Sequence, residues 1–171
     1  VLIAVTVVGV HAFNARSMPD LHRWHRESPE GEFDAAHGAK GMTFAGYLAL
    51  EDALFAAASE YEVDPSTGDG ESMVSRYAKG SWFNPLGYET NWNRTQSLAP
   101  EGEAVGAALL IHGLTDSPYS MRAFAEFLRG RGLHAVCMRM PGHGVAPAGL
   151  VTVSLEDWAA AVRIGAAYAA E

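Results

Sequence analysis

Apolar residues occur along the chain in runs of three kinds. The first is a near-continuous stretch, Val1–Val10, extended by Ala12 and Phe13 to about 13 residues, against the roughly 20 that a spanning helix needs. Three readings fit it: a partial membrane anchor, a signal segment, or a buried strand, since Val and Ile dominate. The anchor is favoured. A strand at the terminus has no turn signal before it, and "AFNA" places Phe13 where a signal cleavage site wants a small residue. Residues 17–40 are polar and punctuated by Gly and Pro, the composition of a linker. His22, His25 and His37 fall there without metal-ligand spacing and read as solvated loop histidines.

The second kind is helical. Phe44, Tyr47, Leu48, Leu54 and Phe55 recur at helix spacing with Glu51 as the polar exception, which predicts an amphipathic helix over Thr43–Tyr61. "DPSTGDGES" ends it as a loop. "NWNRTQSL" alternates as an edge strand does. "EGEAVG" then makes a hairpin-like turn into "AALLIHG", an apolar run of the buried-strand kind.

From there strands and helices alternate. Ser117 is placed to cap a helix with Pro118 at its first position, Met121, Phe124, Ala125 and Leu128 share one face, and Gly130 and Gly132 end it. "LHAVCMRM" is the next strand, stopped by "PGHG". Ser154 and Asp157 stand at capping-box spacing before a helix whose stripe is Leu155, Trp158, Ala161, Val162 and Gly165. This alternation predicts an α/β fold with a parallel sheet and helices on its faces. Four regions follow: 1–16, the anchor or signal segment; 17–40, a linker; 41–102, the amphipathic helix and edge strand; and 103–171, the α/β domain. The absent initiator Met and the uncapped "AAVRIGAAYAAE" make the chain read as a piece cut at both ends.

Composition changes little. Half the residues are hydrophobic, as in an ordinary globular chain, and a formal net charge of −8 without a Lys/Arg cluster excludes nucleic acid as a partner. The single cysteine, Cys137, sits in an apolar run and reads as a small buried hydrophobe. No pattern supports a metal site.

In a parallel sheet, ligands meet the loops at the carboxyl ends of the strands, here "HGLTDSP" and "PGHG". On these residues the sequence resembles a family. "LLIHGLTDSPYSMRAFAEFLRGRGLHAVCMRMPGHG" is similar to the front part of the α/β-hydrolase fold. The continuation, with Trp158 on the helix after Gly-His-Gly, resembles its bacterial carboxylesterase and monoacylglycerol-lipase branch, with the serine aminopeptidases as kin. The likeness covers about residues 103–171, and the upstream part is similar, less specifically, to membrane-anchored bacterial hydrolases. The resemblance implies a serine ester hydrolase acting through an acyl-enzyme on a small acyl-ester or lipid-like substrate, with no cofactor, held at a bacterial inner membrane by the N-terminal segment.

The resemblance also assigns residues. The backbone N–H of Leu114, next after His-Gly, would form half of an oxyanion hole, and its side chain would suit an acyl pocket. Gly113 would let the backbone bend away from the strand, and His112 would be structural, its ring bonding loop backbone. Gly142, His143 and Gly144 would shape the second loop. No Gly-x-Ser-x-Gly occurs in the chain. The implied nucleophile, acid and base would all follow Glu171, and the piece alone is expected to be inactive. Other chemistries of the fold (peptidase, acyltransferase, dehalogenase, epoxide hydrolase), a non-catalytic binding relative and a membrane-tethered interaction domain remain open at this point.

Overall fold

The computed structural model describes residues 2–16, 21–64, 66 and 74–171. Most of the loop read at residues 64–72 lies outside them. The N-terminal run is helix α1, Leu2–Arg16, not a strand. A helix satisfies its own backbone, whereas a strand needs a neighbour. Its apolar side chains, Ile3, Val5, Val8 and Phe13 among them, are exposed. No helix among the described residues is long and apolar enough to cross a membrane.

Of residues 17–40, expected to form a linker, the described part, 21–40, is built into the core. They carry two short helices, α2 (Arg23–Arg26) and α3 (Ala35–Ala39), and bury Trp24 and Phe33. Their histidines serve the local backbone: the Nδ1 atoms of His25 and His37 accept the N–H groups of His22 and Asp34 at 3.1 and 3.2 Å. Helix α4, Phe44–Ala57, starts where Thr43 Oγ1 accepts the Gly46 N–H, and continues as a 3-10 turn over Ala58–Tyr61. Its inward face is Phe44, Tyr47, Glu51, Leu54 and Phe55.

Three strands make one mixed sheet in the order β1-β3-β2, with β1 at Gln96–Leu98, β2 at Gly106–Ile111 and β3 at Leu133–Met138. β2 and β3 are parallel, joined by helix α5, Arg122–Arg129. β1 runs antiparallel to β3, so the turn after it does not close a hairpin with β2; β3 lies between them. β2 is only half-buried, because it lies at the sheet's edge.

Alternation along β3 divides the core. Ala135 and Cys137 face Ala125 of α5, while Met138 faces Tyr47, Phe33 and helix α6, Leu155–Ala169. Both faces of β3 are covered from Ala135 to Met138, which is why this part of the strand is apolar throughout. Burial pushes the Cys137 thiol up to about 11, so it stays protonated and unreactive at neutral pH.

The capping box of α6 forms, with Ser154 Oγ accepting the Asp157 N–H and Asp157 Oδ2 accepting the Ser154 N–H. Asp157 Oδ1 also accepts the Ala35 N–H at 2.7 Å, tying α3 to α6. The buried stripe of α6 is Asp157, Ala160, Ala161 and Gly165; Leu155 is exposed, because the helix is rotated toward its small residues so that Gly165 can meet Met138 and Leu109. On α5, Phe124 is likewise outside and Ala125 inside.

Candidate active site

Two loops leave the carboxyl ends of the parallel strands side by side. The loop after β2 turns at Thr115, whose φ of 64° is left-handed, an uncommon conformation for a β-branched residue. The bend therefore falls at Thr115 rather than at Gly113, whose φ is ordinary and whose surroundings are open. Holding Thr115 there costs about 1–3 kcal/mol, which the neighbouring bonds offset. Asp116 donates its N–H to the Gly113 carbonyl at 3.2 Å, and its Oδ1 accepts the Ser117 N–H at 2.8 Å. Ser117 does not cap the helix. Its hydroxyl donates instead to Asn93 Oδ1 at 2.6 Å, and a 3-10 turn over Pro118–Met121 leads into α5.

The loop after β3 is pinned by glycine. Gly142 and Gly144 have φ of 81° and 80°, and a Cβ at either would meet backbone oxygen within 3 Å. His112 joins the loops. Its Nδ1–H donates to the Gly113 carbonyl at 3.0 Å, and its Nε2 accepts the Met140 N–H at 3.1 Å. Both ring nitrogens are thus occupied and the neutral ring is the form these bonds require. His143 meets His112 edge to face at 4.8 Å and donates from Nδ1 to the Pro141 carbonyl, which also accepts Trp158 Nε1–H at 3.0 Å. Its buried Nε2 has no hydrogen-bond partner among the described residues.

Between the loops lies a cavity of about 290 Å³, lined by Thr115, Asp116, Ser117, Gly142, His143 and Gly144 together with Arg76. Arg76 Nη2 donates to the Gly144 carbonyl at 2.7 Å. Leu114 sits at the loop tip outside this lining and is 68% exposed. Its N–H donates to no acceptor among the described residues.

Behind the second loop is a buried charge cluster that local sequence patterns do not disclose. Arg139, at 0% exposure, donates from Nη1 and Nη2 to both oxygens of Glu32 at 2.9 and 2.8 Å, from Nε to Glu51 at 3.1 Å, and from Nη1 to the His143 carbonyl at 2.9 Å. Thr95 Oγ1 donates to Glu51 Oε1 at 2.6 Å and accepts the Arg139 N–H. Tyr47 OH donates to the Arg139 carbonyl at 2.7 Å. Burial opposes ionisation of Glu32, but the bonds and charge of Arg139, with the Gly142 and Phe33 N–H groups, hold its carboxyl below the usual range. Glu51 is more deeply enclosed, and burial pushes its carboxyl up in spite of Arg139 and Thr95.

Ser97 and His134 form a second candidate pair, with Oγ 2.8 Å from Nε2. The third member is the hydroxyl of Tyr168 at 3.1 Å from Ser97, not a carboxylate, and neither residue lines the loop cavity. Among the described residues no hydrogen bond orients the His134 ring through Nδ1, so the loop end of the sheet is the better site.

Over part of its length the chain is similar to a lipase. The match is 40% identical over 58 residues to the thermostable monoacylglycerol lipase of Bacillus sp. strain H-257, covering 33% of this chain and 23% of that protein. The chain therefore spans about a quarter of the relative it matches. No family model matches.

His112 gives the site a pH dependence. Burial holds the His112 pKa below its ordinary 6.5. Below that value the unfolded chain takes up a proton that the folded ring resists, so stability is lost as pH falls through 6.5. Depression of Glu32 adds a second loss below its ordinary 4.5. Urea midpoints are expected to be level from about pH 8 to 7 and to decline from there to about pH 5. His112→Gln should lower the plateau and flatten the decline; an identical slope in the variant would remove His112 as its source.

Proposed function

We propose that this chain contributes the oxyanion-hole loop of a serine carboxylic ester hydrolase acting on acyl-ester or lipid-like substrates, the nucleophile coming from polypeptide outside residues 1–171. The observation that carries the reading is the Leu114 N–H, a donor without an acceptor among the described residues, held beside a left-handed residue at the carboxyl end of a parallel strand. The partial similarity to a monoacylglycerol lipase supports an ester as the bond cleaved.

In this reaction a serine Oγ adds to the ester carbonyl carbon as a base takes its proton. The carbonyl oxygen becomes an oxyanion, the alcohol leaves with a proton, and water releases the acid from the acyl-enzyme. A fixed N–H dipole aimed at that oxygen stabilises the transition state more than the ground state. The chain's share is to hold the dipole still. His112 bonds the Gly113 carbonyl on one side and the Met140 N–H on the other, and Ser117 is tied to Asn93, so the loop is braced from both ends.

Leu114→Pro in the intact protein removes the donor, and kcat is expected to fall by about 10²-fold. Leu114→Ala keeps the N–H and is expected to retain most of the rate. Equal rates in the two folded variants would take Leu114 out of the reaction.

A further inference from the structure

Beside the loop cavity, and sharing Arg76 with it, lies a second and larger one of about 830 Å³. That volume is in the range of small-molecule sites, about 300–1,000 Å³. Its walls are rings: Trp82, Phe83, Tyr88, Trp92 and Tyr119. Trp82 is 82% exposed and Phe83 61%. Single exposed apolar side chains are ordinary, but five rings around one concavity mark a binding surface.

The rings are held apart rather than collapsed on one another. Buried Asn84 donates from Nδ2 to Glu62 Oε1 at 2.6 Å and to the Ala78 carbonyl at 3.3 Å, and its Oδ1 accepts the Leu86 N–H. Tyr88 OH donates to the Trp82 carbonyl at 2.6 Å. The aromatic segment is thus braced from beneath and across, and its shape does not wait on a ligand.

Charge narrows the occupant. In a chain of net charge −8 this lining carries Arg76 and Arg122 against Glu89 alone. The Arg122 guanidinium lies 5.5 Å from the Trp92 ring and 5.6 Å from the Tyr119 ring, and forms no ion pair with a described carboxylate. A cation seated on two rings of an aromatic-walled groove suits a ligand with an apolar tail and an anionic head.

We infer that this groove binds the acyl chain of a carboxylic acid, with the carboxylate at Arg122 and the tail along Trp82 and Phe83. The choice of acid over other anionic amphiphiles rests on the ester-hydrolase reading, since an acid is what ester cleavage releases. Tyr119 stands two residues after Ser117, in the turn that continues the loop carrying Leu114, so one wall of the groove belongs to the same connection as the proposed reaction centre.

Calorimetric titration of the intact protein with decanoate, and with decanol as its uncharged counterpart, tests the assignment below the micellar range. Saturable one-to-one binding of decanoate is expected, about tenfold tighter than decanol and about tenfold weakened by Trp82→Ala. Arg122→Gln is expected to abolish the preference for decanoate while leaving decanol binding unchanged. Trp82 is at the surface, so far-ultraviolet circular dichroism of its variant should match the parent. Absence of saturable binding, or binding unchanged in both variants, overturns the inference. The measurement involves no catalysis, so it separates the two readings. Decanoate binding in a protein without a reactive serine would leave the groove and remove the hydrolase; a reactive serine without decanoate binding would do the reverse.

Discussion

Arg139→Ala is expected to lower the free energy of unfolding by about 3–5 kcal/mol, as when one partner of a buried ion pair is removed. The cost comes from what remains. Glu51, at 2% exposure, would keep a carboxyl with only Thr95 to bond it, and Glu32 would lose both arms of its fork. Against a typical total of about 5–15 kcal/mol, such a loss places much of the population near unfolding at moderate temperature. The cluster joins three distant parts of the chain, Glu32 before α3, Glu51 on α4 and Arg139 after β3, so its loss should also loosen residues 21–40 from the sheet. Urea denaturation at neutral pH is the measurement. Glu51→Gln should cost less in the Arg139→Ala background than in the parent, because the charge it neutralises is then already unpaired. A loss below about 1 kcal/mol for Arg139→Ala would show that the cluster is not what fastens the N-terminal segment.

Gly142→Ala should be nearly as damaging, at about 2–5 kcal/mol. The φ of 81° is left-handed, and a Cβ there would stand 2.8 Å from the Gly149 carbonyl oxygen and 2.9 Å from Val153. The approach is reciprocal, since a Cβ at Gly149 would stand 2.7 Å from the Gly142 carbonyl oxygen. Backbone faces backbone, so neither side yields as a flexible side chain would. Displacing Gly142 also strains the bond from its N–H to Glu32 at 2.9 Å, which couples the loop to the charge cluster. Gly113→Ala is the control: its Cβ meets nothing within 4 Å and its φ is not left-handed, so a change within about 0.5 kcal/mol is expected. Equal melting temperatures for the two variants would contradict this account of the loop.

The elements with local signals were legible in the sequence, and the partners that join them were not. Thr43 and the Ser154–Asp157 box announce α4 and α6, and the strands β2 and β3 follow from their predominantly apolar runs. Residues 21–40 read as a linker because their anchors are single: Trp24, Phe33 and Glu32 stand among polar residues without periodicity. The partner of Glu32 is 107 residues away, a separation that no local pattern encodes. A signal was nonetheless present. Glu51 interrupts an apolar helical face and Arg139 an apolar strand run, and two buried charges of opposite sign require each other. Ser117 misled for a related reason, since a serine before a proline serves as a cap unless a side chain such as Asn93 competes for its hydroxyl. Of the candidate site, the two loops at the strand ends were legible from the break between apolar runs and glycine. The left-handed Thr115 and the aromatic groove were not, because neither residue type nor spacing announces them.

Under the proposed function, the loop after β2 serves a serine that attacks esters. Labelling the intact protein with a fluorophosphonate, followed by mass analysis of its peptides, tests it most directly. One serine is expected to carry the phosphonyl group, with labelling slowed by Leu114→Pro and little changed by Leu114→Ala. Folded protein in which no serine is labelled would contradict the account.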